Sequence, residues 1–126
     1  QPYPKKQRSD LMKAHDYDIG LCRWGPDYAD PLTYMDLWTD GYTHNYGAWH
    51  SDEYMEILNK IKTVEYALDA EGRWDLIKQA EQIIADEAVI LPVYQNANAS
   101  LVKENISGIE FHAVGLNRVY KNVKVG

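Results

Sequence analysis

The chain has 126 residues, 45% of them hydrophobic and 25% charged, and carries a net charge of −6 at neutral pH. That composition excludes a disordered or low-complexity protein, and the length supports one modest core. The acidic balance speaks against nucleic acid, because phosphate binding needs clustered cations and Lys5, Lys6 and Arg8 are too few.

Taken from the N-terminus, residues 5–14 set Leu11, Met12 and Ala14 among charges and predict a short helix ending near His15. Tyr17, Ile19, Leu21 and Arg23 then alternate and predict a strand over 17–23. It runs into Trp24-Gly25-Pro26-Asp27-Tyr28-Ala29-Asp30-Pro31, where two prolines and a glycine forbid regular structure. Leu32 to Trp38 reads as a short helix with Asp30 as cap and Pro31 in its first turn. Residues 39–50 have no period and read as a surface loop.

Ser51 is a helix cap, with Asp52 and Glu53 placed well for the helix dipole. Tyr54, Ile57, Leu58, Ile61, Val64 and Leu68 fall on one face of that helix. A second helix starts at Asp69 and lines up Trp74, Ile77, Ala80, Ile84 and Ala88. These two stripes are core positions rather than a cofactor box. From Ala88 to Tyr94 a continuous apolar run predicts a buried strand interrupted at Pro92. Strand-like pieces follow at 100–103, 109–113 and 118–125, with Gly115 and Asn117 marking a turn.

Few residues offer chemistry. Cys22 is the single cysteine, which rules out an internal disulfide, and its place in the expected strand makes it an inert buried thiol. His15, His44, His50 and His112 are scattered without metal-ligand spacing, so neither a metal site nor a cofactor is expected. Asp27 and Asp30, with Asp36 and Asp40 near, lie in the right kind of loop for a hydrolase, yet Asp at that spacing in a loop is commonly a turn or cap former. Ten Tyr and four Trp against one Phe suit either a core with wet hydroxyls or a surface that buries a mixed ligand. An acidic Asp27 flanked by Trp24 and Tyr28 would receive a cationic or amine-bearing group, and the same residues also serve as plain loop packing.

The run Asp16-Tyr17-Asp18-Ile19 followed by Trp24-x-x-Asp27-Tyr28-x-Asp30-Pro31 resembles the strand and loop of the bacterial oligopeptide-binding proteins. The similarity continues through the helix pair of residues 51–87, Ile90-Leu91-Pro92-Val93-Tyr94 and Ala99-Ser100-Leu101-Val102-Lys103. This solute-binding family also includes dipeptide, nickel and some sugar binders. The resemblance implies an α/β chain, the C-terminal portion of a two-lobed, type II periplasmic-binding-protein-like fold, with a helix pair packed on mixed strands. Residues 1–93 would belong to the second lobe; residues 94–126 would cross the hinge and complete the first. The N-terminal part of the same protein would then be the chain's structural partner, and a secretion signal would lie upstream.

The same resemblance implies a non-enzymatic, extracytoplasmic subunit of an ABC importer, periplasmic or lipid-anchored, which hands oligopeptides to membrane permease subunits. The peptide would lie extended between the lobes as an added strand. Its amino terminus would meet Asp27, and its main chain would pair with Arg23, Trp24 and Gly25. Tyr28 and Tyr94 would line the cleft, and peptide side chains would occupy roomy, hydrated pockets. Pro26 departs from some relatives and removes one main-chain donor. A sugar, nickel or haem binder of the same family is the alternative; a hydrolase using Asp27 and Asp30 is the more distant one.

Overall fold

The computed structural model of the chain describes residues 2–126. It divides into two compact units. One comprises the chain up to Trp24 together with Pro31–Leu91, and the other Gly25–Asp30 together with Pro92–Gly126.

The first unit is helical: α1 is Lys5–Lys13, α2 Leu32–Met35, α3 Asp52–Ile61, α4 Val64–Leu68 and α5 Ala70–Asp86, with a 3₁₀ turn over Asp36–Trp38 after α2. Its core forms where α3 and α5 pack: Tyr54, Ile57, Leu58 and Ile61 face Ile77, Ala80 and Ile84, and Met35 closes the cluster. The caps are local and legible. Ser51 Oγ accepts the Tyr54 amide at 3.3 Å, and Asp69 Oδ1 accepts the Gly72 amide at 3.0 Å.

Two long helices were expected, and the first is broken. Thr63 donates its hydroxyl to the Lys60 carbonyl at 2.8 Å and turns extended, which ends α3. Beyond the break the stripe changes direction, so Val64 and Leu68 are exposed instead of buried. In α5, Trp74 is half exposed, and Ala88 lies outside the helix. Ala88 takes a left-handed φ of 51° while the Val89 and Ala88 amides return to the Ile84 and Ala85 carbonyls at 3.0 and 3.1 Å. That pair of bonds closes a helix C-terminus with the last carbonyls satisfied. His15, with φ of 55°, ends α1 in the same way through amides of Asp16 and His15 bonded to Leu11 and Met12.

The second unit holds two small antiparallel ladders. β1 (Ile106–Ser107) pairs with β4 (Lys124–Val125), placing Ile106 opposite Val125; β2 (Glu110–Phe111) pairs with β3 (Arg118–Val119), placing Phe111 opposite Arg118. A turn closed by the Val123 amide on the Tyr120 carbonyl splits the expected 118–125 strand in two. None of this unit's residues is fully buried.

The expected strands at 17–23, 88–94 and 100–103 do not form. No ladder runs through them: Ala88 and Val89 close α5, Asp18 and Ile19 lie in a bend, and Ile19, Leu91, Val93 and Leu101 are largely exposed. An apolar run becomes a strand only where another segment satisfies its amides and carbonyls. Among the described residues none does so for these. Cys22 is accordingly an exposed thiol rather than a buried one, donating to Met12 Sδ at 3.5 Å.

Candidate functional site

The residues expected at the binding loop fall in different units. Arg23 and Trp24 end a segment of the helical unit, whereas Gly25, Asp27, Tyr28 and Tyr94 belong to the other. Within the helical unit Trp24 is anchored twice. Its indole N–H donates to the Thr33 carbonyl at 3.1 Å, on a buried residue of α2, and its ring meets His44 edge-on at 4.9 Å. The tryptophan therefore has one orientation set by α2 and by the loop of residues 39–50. Arg23 is exposed. In the other unit, Asp27 and Tyr28 are exposed in a bend that the Asp30 amide closes on the Tyr28 carbonyl at 3.0 Å. Tyr94 is exposed on an extended stretch.

Sequence reasoning passed over the loop of residues 39–50, which turns out to be the most organised part of the helical unit outside its core. Asn45 acts as its clamp: Nδ2 donates to the Trp49 carbonyl at 2.8 Å, and Oδ1 accepts the Trp49 amide at 3.2 Å. Trp49 packs edge-on against the buried Tyr54 ring at 5.0 Å and donates from its indole to Glu87 Oε2 at 2.7 Å. His44 sits among Trp24, Tyr42 and Tyr46. His50 is gripped on both ring nitrogens, by Asp40 at 2.8 Å and by Asp52 at 3.3 Å. The hydrogen bond that the ring donates to Asp40, and then the charge of Asp40, raise the imidazole's pKa above the ordinary 6.5. The Tyr42-x-His44-x-Tyr46 spacing was visible in the sequence, but a loop has no period to mark it as a cluster.

Each unit also carries its own surface cleft. In the helical unit a cleft of about 410 Å³ lies between the end of α1 and the 40–49 loop. In the other, one of about 290 Å³ is lined by Ser100, Leu101, Phe111, Arg118 and Tyr120, with Arg118 donating to Ser100 Oγ at 2.8 Å. Among the described residues no group of His, Cys, Asp or Glu could hold a metal ion, and no helix is long and apolar enough to cross a membrane.

Comparison with known proteins bears on what such a chain is. No family model matches it. It is 33% identical over 113 residues to a dipeptide-binding protein of Lactococcus lactis, covering 90% of this chain and 20% of that one. The substrate-binding domain of an oligopeptide ABC transporter from Bacillus anthracis superposes with a TM-score of 0.80 at 32% identity, over 99% of this chain and 24% of that one. The chain is a homologue of the oligopeptide- and dipeptide-binding proteins. Listeria monocytogenes OppA bound to peptide superposes with a TM-score of 0.72 at 32% identity, over 97% of this chain and 22% of that one. These solved relatives have the type II periplasmic-binding fold, and the chain corresponds to a part of it. It spans about a fifth of the length of the curated relatives it matches. Those relatives are substrate-binding proteins rather than enzymes.

Proposed function

We propose that this chain is the C-terminal portion of an extracytoplasmic oligopeptide-binding protein, the capture subunit of an ABC importer, with no catalytic role. The observation that carries the reading is its similarity, over nearly its whole length, to a solved peptide-bound relative and to the substrate-binding domain of an oligopeptide transporter. In this reading Asp27 receives the peptide's amino terminus and Trp24, Tyr28 and Tyr94 line the cleft of the complete protein. Main-chain groups from Arg23 to Gly25 pair with the extended ligand, and Pro26 contributes no donor. The double anchoring of Trp24 supports its part in this role, because the ring is already fixed in orientation before ligand arrives.

The proposal extends to architecture. Residues 1–93 are assigned to the second lobe and residues 94–126 to the segment that returns to the first; the unit boundary after Leu91 lies close to this division, although Gly25–Asp30 groups with the later residues. The exposed apolar residues Ile19, Leu91, Val93 and Leu101 suit burial against the remainder of the protein, where their extended backbone would find strand partners. Membrane permease subunits are the further partner, and the site of action is the outer face of the membrane or the periplasm.

The test is calorimetric titration of the complete protein with a short peptide, free and N-acetylated. Breaking a buried ion pair by removing one partner costs about 3–5 kcal/mol, and each decade of affinity is about 1.4 kcal/mol. Acetylation and Asp27→Ala are therefore each expected to weaken binding by two decades or more. A change below about threefold in both would remove Asp27 from the anchor position.

A further inference from the structure

Trp24 is held by side-chain contacts alone. Residues 17–24 make no main-chain hydrogen bond among the described residues, so no ladder fixes the backbone that carries the indole. The ring is half-buried, which leaves part of it open to a ligand. Its orientation rests on two points. The indole N–H donates to the carbonyl of buried Thr33 at 3.1 Å, and the ring meets His44 at 4.9 Å and 63°.

Those two contacts restrain different motions. A hydrogen bond to one nitrogen fixes a point, and the ring plane can still turn about the line from Cβ to that nitrogen. An edge-on contact fixes the plane itself. Thr33 supplies only a backbone atom, on α2, so the side chain that decides how the indole plane faces is His44.

His44 is suited to this because it is itself held from several sides. Its carbonyl accepts the Tyr46 amide at 2.8 Å, its Nδ1 shares a hydrogen bond with the Thr43 hydroxyl at 3.3 Å, and its ring lies 5.7 Å from those of Tyr42 and Tyr46. The next residue, Asn45, clamps both main-chain groups of Trp49, which packs on Tyr54 of α3. At the other side the Tyr46 carbonyl meets His15 Nδ1 at 2.7 Å. Because a carbonyl only accepts, His15 donates there and ties the loop to the end of α1. His44 therefore stands on a loop fastened to both α1 and α3, all within the helical unit.

We infer that His44 is a positioning residue for peptide binding, acting through Trp24 by holding its ring in the orientation that the ligand meets. The inference rests on the peptide-binding reading, in which Trp24 lines the cleft, and adds the residue that prepares that wall. A protein whose contact residue is competent for only a fraction of the time binds more weakly by that fraction. Loss of an edge-on aromatic contact is expected to lower the competent fraction about three- to tenfold.

The experiment is calorimetry of the complete protein with trialanine and pentaalanine, alongside hydrogen exchange of the Trp24 indole N–H, identified as the NMR signal lost in Trp24→Leu. His44→Ala is expected to weaken peptide binding about three- to tenfold and to speed indole exchange by a similar factor. His44→Phe, which keeps a ring edge, should return both to within about twofold of wild type. In a Trp24→Leu background His44→Ala should change affinity by less than about twofold, because the residue it acts through is gone. Unchanged affinity or unchanged indole exchange in His44→Ala overturns the inference, as does an equal loss of affinity in both backgrounds. Failure of His44→Phe to restore either quantity, or equally faster exchange at the Ile57 and Leu58 amides, overturns it too, by showing a general support of the fold. Each of these results leaves the peptide-binding reading intact provided the wild type binds peptide. Binding of neither peptide by the wild type overturns both.

Discussion

Tyr54 is the residue on which the helical unit's stability is most directly tested. Its side chain is fully buried, its hydroxyl donates to the Met35 carbonyl at 2.7 Å, and its ring meets Trp49 at 5.0 Å and 70°. Burial, with the nearby Asp36 charge second, pushes the phenol far above its usual pKa, so it remains a donor wherever the protein is folded. Tyr54→Phe removes only the hydroxyl and is expected to cost about 1 kcal/mol, the net worth of one buried hydrogen bond. Tyr54→Ala also empties the ring's volume between α2, α3 and the Trp49 loop. Core aromatic truncations cost about 3–5 kcal/mol, of which the edge-to-face pair accounts for about 0.5–1.5. Hydrogen exchange on the complete protein reads these costs locally, as faster opening of the Ile57, Leu58, Ile61, Ile77 and Ala80 amides. Unchanged exchange in Tyr54→Phe, or Tyr54→Ala costing no more than Tyr54→Phe, would refute the assignment of Tyr54 as the link between α2 and α3.

Two further outcomes follow from local geometry. His50 has its pKa raised by Asp40, so the stabilisation from that pair is complete below about pH 6.5, the unfolded value, and is lost as pH rises through the higher folded value. NMR titration of the ring protons should place its midpoint above 6.5 and bring it down in Asp40→Asn; an unmoved midpoint in that variant would exclude Asp40 as the cause. Gly108, between β1 and β2, has φ of 79°, and a Cβ there would collide with the Asn122 carbonyl. Gly108→Ala is expected to cost more than the roughly 1–2 kcal/mol of a left-handed non-glycine residue and to abolish exchange protection of the Gly126 amide, which donates to the Asn105 carbonyl beside the β1–β4 ladder. Retained protection there would show that the turn relaxes freely.

Helical period and cap chemistry, which act between residues three or four apart, made most of the helical unit readable in the sequence. The Ser51 and Asp69 caps, the buried face of α3 and the Ile77, Ala80, Ile84 stripe of α5 all follow from helical period and cap chemistry. The Thr63 break was misread because periodicity continued across it, while a hydroxyl bond to the Lys60 carbonyl redirected the chain. The strands failed for a different reason. Alternation at 17–23 and the apolar run at 88–94 record which side chains suit a sheet, but a strand exists only when a second segment supplies donors and acceptors.

The candidate site divides along the same line. The Trp24-x-x-Asp27-Tyr28-x-Asp30-Pro31 run is a contiguous motif, so sequence alone determined which residues to examine and which relatives to expect. The sequence could not determine that Trp24 is pinned by Thr33 and His44, or that His15 meets a loop some thirty residues further along the chain. Those relations depend on the packing of α3 on α5 and on the Asn45 clamp, which bring distant residues within reach of one another. Hydrogen bonds and charges act over a few ångströms whatever the separation along the chain, so only the tertiary structure decided which side chains meet.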